Sequence, residues 1–291
     1  MTTLKRPVGE LLRGWRQRRR LSQLDLAGEA DISMRHLSYL ETGRSKPSRA
    51  MLHRLAERLD VPLRERNALL VAAGYAPTFS ERKLDDPALS AARQAVDAVL
   101  AGHEPYPALA VDRCWNLVAS NRAIPPLLAG IAPWLLRPPV NVLRLSLHPK
   151  GLALRILNLP EWRDHLLGRL QRQVDHTADA FLTELLAELK TYPVENGHPE
   201  LEPTAEAMVV PLRLDTEGGT LSLISTTMLF GTPLDVTLSE LALECFFPAD
   251  AATADALRLA DEKRKADEQP QEAPDFGSNE AAPSPCCSIS L

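Results

Sequence analysis

Residues 21–44, LSQLDLAGEADISMRHLSYLETGR, leave a chain few ways to fold. Ser22 stands ahead of Leu24 and Leu26 as a helix N-cap. The connection from Ala30 to Ile32 is tight, a second helix begins at Ser33 and runs to Glu41, and Gly43 stops it. Two short helices joined by such a turn cross at about a right angle, which defines a helix-turn-helix. The crossing needs a small residue, and Ala27 supplies it. Leu37 and Leu40, with Ile32 just before them, form the stripe that plugs the core.

At about 100° per residue, Arg35, Ser38 and Tyr39 point away from that stripe, and Met34 lies on its flank. Long donors and an aromatic on a small exposed helix fit the major groove of DNA, which admits one α-helix and carries a readable donor and acceptor code. Arg35 suits a guanine edge, Met34 a thymine methyl, and Tyr39 a base or a phosphate. Arg44 and Lys46 follow in the loop GRSKPS and suit phosphate, as does the helix N-terminus at Ser48. Gln23 opens the first helix and can meet phosphate through its side chain and N–H. The basic run Arg16 to Arg20 reads equally as a further phosphate surface or as a solvated face.

The flanking sequence completes an all-α bundle of five helices. Val8, Leu11, Leu12 and Trp15 recur at helical spacing, Ser48 through Leu59 follows Pro47, and Pro62 opens a last helix that Gly74 ends. Residues 1–75 carry 15 Lys/Arg against 8 Asp/Glu, a net of +7. The whole chain is at −5, so the remainder stands at −12. A basic front end on an acidic body marks a local polyanion surface.

Residues 9–59 resemble the helix-turn-helix domain of the XRE family, which is related to the phage repressors and lambda-repressor-like in fold. LSQLDLA (21–27), DIS (31–33), YLETGR (39–44) and PS (47–48) carry the resemblance. The family usually has Gly where this chain has Asp31, at a turn that favours positive φ. Asp tolerates that region, so the turn is expected to persist with a small strain.

Beyond residue 75 the pattern changes. Residues 76–105 read as a helical linker, with a helix from Ala88 to Leu100. ALAVDRCWNLVASNR contains two short β-like runs with a turn near Asp112 and Arg113, and NVLRLSLHP and GLALRILN follow. Two amphipathic helices come next, about Pro160–Asp175 and Ala178–Lys190. MVVPLRLD and TLSLISTTMLFG flank a turn at Glu217 to Gly219, a hairpin signal, and ELALECFFP suits a last strand. Residues 106–260 are therefore an α+β domain with a mainly antiparallel sheet. From Asp261 to Leu291 the sequence is rich in Pro, Glu, Asp and Ser, which predicts a disordered acidic tail.

Other signals bound the function. Cys114 and Cys245 sit in apolar stretches and suit core positions; Cys286 and Cys287 lie in the tail, without the spacing of a prenylation site. No CxxC pair suggests a metal site, and no cofactor is indicated. The N-terminus lacks an apolar signal-peptide core and no window is long and apolar enough to span a bilayer, so a cytoplasmic chain with no membrane partner is expected. GxSxG, HExxH, GxGxxG and P-loop motifs are missing, which argues against an enzyme.

Over residues 7–258 the chain resembles regulators with a C-terminal MmyB-like ligand-binding domain. HEPYPALAVDRCWNLVASN, NVLRLSLHPKGLALRILNLPEWRDHLL and LFGTPLDVTLSELALECFFPAD carry this resemblance. It implies a PAS-like domain, with a curved antiparallel sheet and helices across one face. It also implies a small apolar ligand, with fatty acids the suggested class. Trp115, Asn121, Trp162, Arg163 and His165 fall in the matching segments. Trp115 and Trp162 equally suit core aromatics, and Asn121 a helix cap. Arg163 and His165 suit a carboxylate head group or ion pairs to Glu161 and Asp164. Asp235 suits a turn. Three functions fit: a ligand-responsive regulator binding duplex DNA as a homodimer, a constitutive dimeric DNA binder whose second domain is a dimerisation or docking scaffold, or a protein-interaction module.

Overall fold

The structure, a computed structural model, describes residues 6–194 and 209–268. The front end is a bundle of α1 (Val8–Arg18), α2 (Gln23–Glu29), α3 (Met34–Glu41), α4 (Arg49–Arg58) and α5 (Leu63–Ala72). Ser22, Ser33 and Ser48 cap α2, α3 and α4, each hydroxyl accepting a backbone N–H at 3.1 to 3.2 Å. Ser22 closes a full capping box with Asp25. Pro62 sits at the N-cap of α5 rather than inside its first turn.

Four of these helices end alike. Arg20 (φ 55°), Asp31 (φ 51°), Asp60 (φ 46°) and Gly74 (φ 83°) each turn the chain left-handed just past the helix. The next N–H then reaches back: Leu21 to Arg16, Ile32 to Ala27, Val61 to Ala56 and Tyr75 to Leu70, at 2.8 to 3.2 Å. These are Schellman closures, and each drops an apolar residue onto the core. Asp31 thus performs the turn the sequence assigns to it. Gly9 lets α1 cross the end of α3, because a Cβ there would lie 2.5 Å from the carbonyl oxygens of Leu40 and Glu41. Leu12, Trp15, Leu26, Ala27, Leu37 and Leu40 form the centre of the bundle.

After a short 3-10 turn comes α6 (Ser90–Gly102), then β1 (Ala108–Val111), β2 (Leu117–Ser120) and the single turn α7 (Ile124–Leu127). The chain continues through α8 (Val142–Leu147), α9 (Leu159–Thr177) and α10 (Ala180–Lys190). It returns in β3 (Leu212–Thr216), β4 (Gly219–Leu229), α11 (Val236–Ser239), β5 (Ala242–Pro248) and α12 (Ala251–Glu268). The sheet has the order β2-β1-β5-β4-β3, with every pair antiparallel. The protein is therefore an all-α helix-turn-helix domain followed by an α+β domain.

Period-two alternation divides the sheet's faces. Ala108, Ala110, Leu243 and Cys245 face Val96 and Leu100 of α6. Val111, Leu212, Leu214, Leu221 and Leu223 face the helical layer of α8, α9 and α10, where the main core lies. ELALECFFP, the last strand in sequence, is the centre of the sheet.

Two stretches depart from their appearance. NVLRLSLHP alternates like a strand, yet Asn141 caps α8 by accepting the Arg144 N–H at 3.1 Å. The helix is buried on two sides, Leu143 and Leu147 in the main core and Leu145 against Ile131 and Leu135, which explains its leucine spacing. GLALRILN is a 3-10 turn followed by an isolated bridge from Ile156 to Leu214. Residues 261–268 are helical, where the sequence suggests a disordered tail. α12 runs on to Glu268, and Asp261 is buried, with Arg264 and Lys265 paired to it. The rest of the tail, with Cys286 and Cys287, lies outside the described residues. Cys245 is buried and Cys114 half-buried. No helix among the described residues is long and apolar enough to cross a membrane.

Candidate nucleic-acid interface and ligand cavity

The outer face of α3 carries the predicted side chains. Leu37 and Leu40 are fully buried beneath it, Met34 and Arg35 are exposed, and Ser38 and Tyr39 are half-buried. Arg35 donates from Nε to the Tyr39 hydroxyl at 2.9 Å, and its guanidinium lies 5.4 Å from that ring's centre. Arg44 meets the same ring at 5.8 Å. Next to it, Tyr75 holds Lys46 at 5.4 Å and Arg49 at 5.7 Å, while its hydroxyl donates to Pro47 O. Two tyrosines thus each gather two cations along α3 and the start of α4, orienting side chains that would otherwise be dispersed. Arg49 and Tyr75 were not predicted, because their partnership spans the bundle.

The serines and Gln23 also play other parts. The hydroxyls of Ser33 and Ser48 accept the N–H groups of His36 and Met51 to cap their helices, and each O–H can still donate to an anion beside the backbone N–H groups there. The Gln23 side chain donates one amide N–H to Glu41 at 2.8 Å, which leaves the second for a phosphate. Half of the basic run is used internally, while Arg18 and Arg20 are exposed. Arg16 pairs with Glu41, and Arg19 donates to the carbonyls of Leu59 and Asp60 and reaches His176 of the second domain at 3.2 Å. Burial and Arg19 beside it hold His176 below the ordinary histidine pKa, so a neutral ring accepts the guanidinium N–H.

The second domain forms a partly open cavity of about 110 Å³ between the inner sheet face and the helices. Leu109, Leu143, Leu166, Leu214, Leu223 and Phe246 are among its walls. Trp115 and Trp162 line it, as their positions in the sequence suggest, and each indole N–H is satisfied, by Gln173 at 2.7 Å and Ser146 at 2.9 Å. Asn121, Arg163 and His165 do not line it. Asn121 is buried as a clamp, accepting from Ala108 N and donating to Leu100 O and Tyr106 O. Arg163 points across to α10 and donates to Lys190 O at 2.9 Å rather than pairing with Glu161 or Asp164. His165 stacks on Trp162 with centroids 5.4 Å apart, and burial, then Arg169 and Arg172, lower its pKa. Asp235 caps α11 and pairs with Arg82.

The charged residues that do reach the cavity are Arg169 of α9 and Glu244 of β5. Arg169 donates to both Glu244 oxygens at 2.7 and 3.1 Å and to Thr227 at 2.9 Å, and lies over the Trp115 ring at 4.9 Å. The signal for Glu244 was present in the sequence. It is a lone carboxylate at an inward position of an apolar strand, and a charge there requires a buried partner.

The bundle is docked on this domain. Arg64 of α5 grips Glu240 through two bonds at 2.8 and 2.9 Å and also pairs with Glu81. Val236 donates to Ser80 O at 2.8 Å, tying the linker to α11. The cleft between the domains is lined by Arg64 and Glu65 on one side and by Trp115, Arg169, His176 and Glu240 on the other.

Comparison with known families agrees with both halves. The model described as MmyB-like transcription regulator ligand binding domain matches residues 92–260, and a helix-turn-helix domain model matches residues 7–69. No curated protein matches the chain.

Proposed function

The chain belongs to the family of transcription regulators with an MmyB-like ligand-binding domain, and from that premise we propose that it binds specific duplex DNA as a homodimer and that a small apolar ligand alters this binding. The observation that carries the proposal is the apolar cavity in the core of a domain whose surface grips the helix-turn-helix unit. A packed core leaves few voids larger than water, and an apolar void of about 150 Å³ takes up benzene. The cavity of about 110 Å³ therefore suits a ligand of a few carbons as it stands, and a longer chain if the leucine walls part. Fatty acids, the class implied by family resemblance, suit an apolar cavity whose wall carries one cation, Arg169, beside its partner Glu244. The sheet with helices across its inner face agrees with a PAS-like reading.

On the DNA side, α3 lies in the major groove. Met34, Arg35, Ser38 and Tyr39 face base edges, and Arg44, Lys46 and Arg49 hold the backbone with the N–H groups at Ser48. A dimer would place two such helices about 34–36 Å apart, one turn of DNA. Ligand acts only if its affinity differs between the DNA-competent and DNA-incompetent arrangements.

The test is solvent extraction and mass spectrometry of the purified protein, followed by titration of the recovered compound into a DNA-binding assay. A stoichiometric apolar compound that shifts DNA affinity supports the proposal. DNA binding that no apolar compound alters points to the scaffold reading instead.

A further inference from the structure

The apolar cavity and the interdomain cleft share a wall. Trp115, Arg169 and Glu244 line both. Arg169 rests on the Trp115 ring and is neutralised by Glu244. Trp115 is held in a left-handed conformation, φ 64°, which is a genuine outlier for a bulky residue. Such strain persists only where its surroundings impose it, and it collects at switches. Here the Asp112 carboxylate imposes it, accepting the N–H groups of Cys114 and Asn116 at 2.8 Å each, while Gln173 holds the indole.

Two routes lead from this wall to the helix-turn-helix domain. Trp162, Leu166, Arg169, Gln173 and His176 form one stripe of α9. Its first three residues face the cavity, its last three line the cleft, and His176 meets Arg19. The stripe spans about 21 Å of rigid helix. The other route is the Trp115 loop. Gln173 donates to Arg113 O, and Arg113 pairs with Asp179 and lies 3.9 Å from Glu240, the residue that grips Arg64.

We propose that the Arg169–Glu244 pair on Trp115 is a charge switch that reads the head group of the ligand and passes its state to the docking surface of the DNA-binding domain. This rests on the cavity being the ligand site. An acidic amphiphile with its tail among the leucines brings a carboxylate to the rim. That carboxylate competes with Glu244 for the guanidinium, since two anions on one cation repel each other. Arg169 leaves Glu244, the Trp115 loop loses its cover, and the released Glu244 carboxylate faces the cleft beside Glu240. A neutral ligand of the same length fills the cavity and leaves the pair closed.

The experiment compares decanoate with decanol on the full chain. Both are titrated by calorimetry into wild type and Glu244→Gln, and amide exchange is followed over residues 60–66 and 172–177. The expected result is that both probes bind wild type, but only decanoate speeds exchange in those segments. Glu244→Gln should bind decanoate at least roughly tenfold more tightly, the worth of one charge-assisted hydrogen bond, with decanol affinity unchanged. If Glu244→Gln shifts both probes equally, or decanol speeds exchange as decanoate does, the switch is overturned while the cavity reading stands. If neither probe binds wild type, the walls do not part for a ten-carbon chain, and the same comparison with butyrate and butanol, which the cavity holds as it stands, decides: failure of both pairs ends the cavity reading, and the switch with it. The exchange comparison on wild type keeps the test decisive should the variant fold poorly.

Discussion

Arg16 of α1 holds Glu41, at the end of α3, through two bonds of 2.6 and 2.9 Å, with Gln23 of α2 donating to the same carboxylate at 2.8 Å. One buried carboxylate thereby ties together the three helices that set the angle of the DNA-facing surface. Burial alone would push its pKa up, but the bonds from Arg16 and Gln23 outweigh it, and the pKa lies below the usual glutamate value.

Removing one partner of such a pair leaves an unpaired buried charge, which typically costs about 3–5 kcal/mol. Glu41→Ala should therefore lower the urea midpoint of the helical domain markedly. The sign of the pH effect follows from the depressed pKa. The Glu41 contribution is complete above its unfolded pKa and is lost as pH falls through the folded value. Unfolding curves should show an acid-sensitive loss in wild type that Glu41→Gln lacks. Equal acid sensitivity in both would remove Glu41 as its source.

Arg35 and Lys46 should fail differently when cut to alanine. Arg35 is oriented by Tyr39 on the face of α3 proposed to read bases, so Arg35→Ala should cost about 1–3 kcal/mol on the preferred sequence and flatten discrimination at one position. Lys46 sits in the loop before α4. Lys46→Ala should weaken all duplexes alike and reduce the slope of log affinity against log salt by about 0.9. Competition binding over a randomised duplex pool, repeated at several salt concentrations, separates the two. A changed base preference in Lys46→Ala would move that residue into the groove.

The helix-turn-helix was legible because its signals are local: serine caps, an inward Leu37–Leu40 stripe, and glycines or Asp31 at the stops. The sheet was legible through the Glu217–Gly219 turn and alternating runs. α8 was not, because its leucines alternate for burial on two sides, a tertiary fact that mimics strand periodicity. The cavity was half legible. All five candidates come from the segments that carry the family resemblance; Trp115 and Trp162 reach the cavity, whereas Asn121, Arg163 and His165 are polar residues whose targets are backbone groups or a neighbouring ring. Arg169 and Glu244 lie 75 residues apart in sequence, and only the packing of α9 on β5 makes them a pair.

The Arg64–Glu240 contact is the strongest geometric link between the domains, with the guanidinium pKa raised by that hydrogen bond, despite partial burial, and further by Glu81. Arg64→Ala should leave each domain folded and loosen their docking. Hydrogen exchange should rise over residues 78–83, where the linker is tied to α11, and small-angle scattering should show a larger radius of gyration. Unchanged exchange and radius would mean that the Ser80–Val236 tie and Arg19–His176 suffice to hold the domains.

Filling the cavity tests the ligand site without touching its charges. Leu223, on β4, is almost fully buried and borders the void. Leu223→Phe adds a ring edge directed into about 110 Å³ of existing space, so it should avoid most of the roughly 1–3 kcal/mol that overpacking a filled core costs. Thermal stability should therefore stay within a few degrees of wild type or rise, while the capacity for an apolar ligand falls sharply. Mass spectrometry of extracts from wild type and variant, prepared side by side, reads this directly. A compound recovered in equal amount from both would have to bind somewhere other than this cavity. A compound lost from Leu223→Phe, with DNA binding of the ligand-free form retained, places the ligand between β4 and α9 and separates its binding from the stability of the domain.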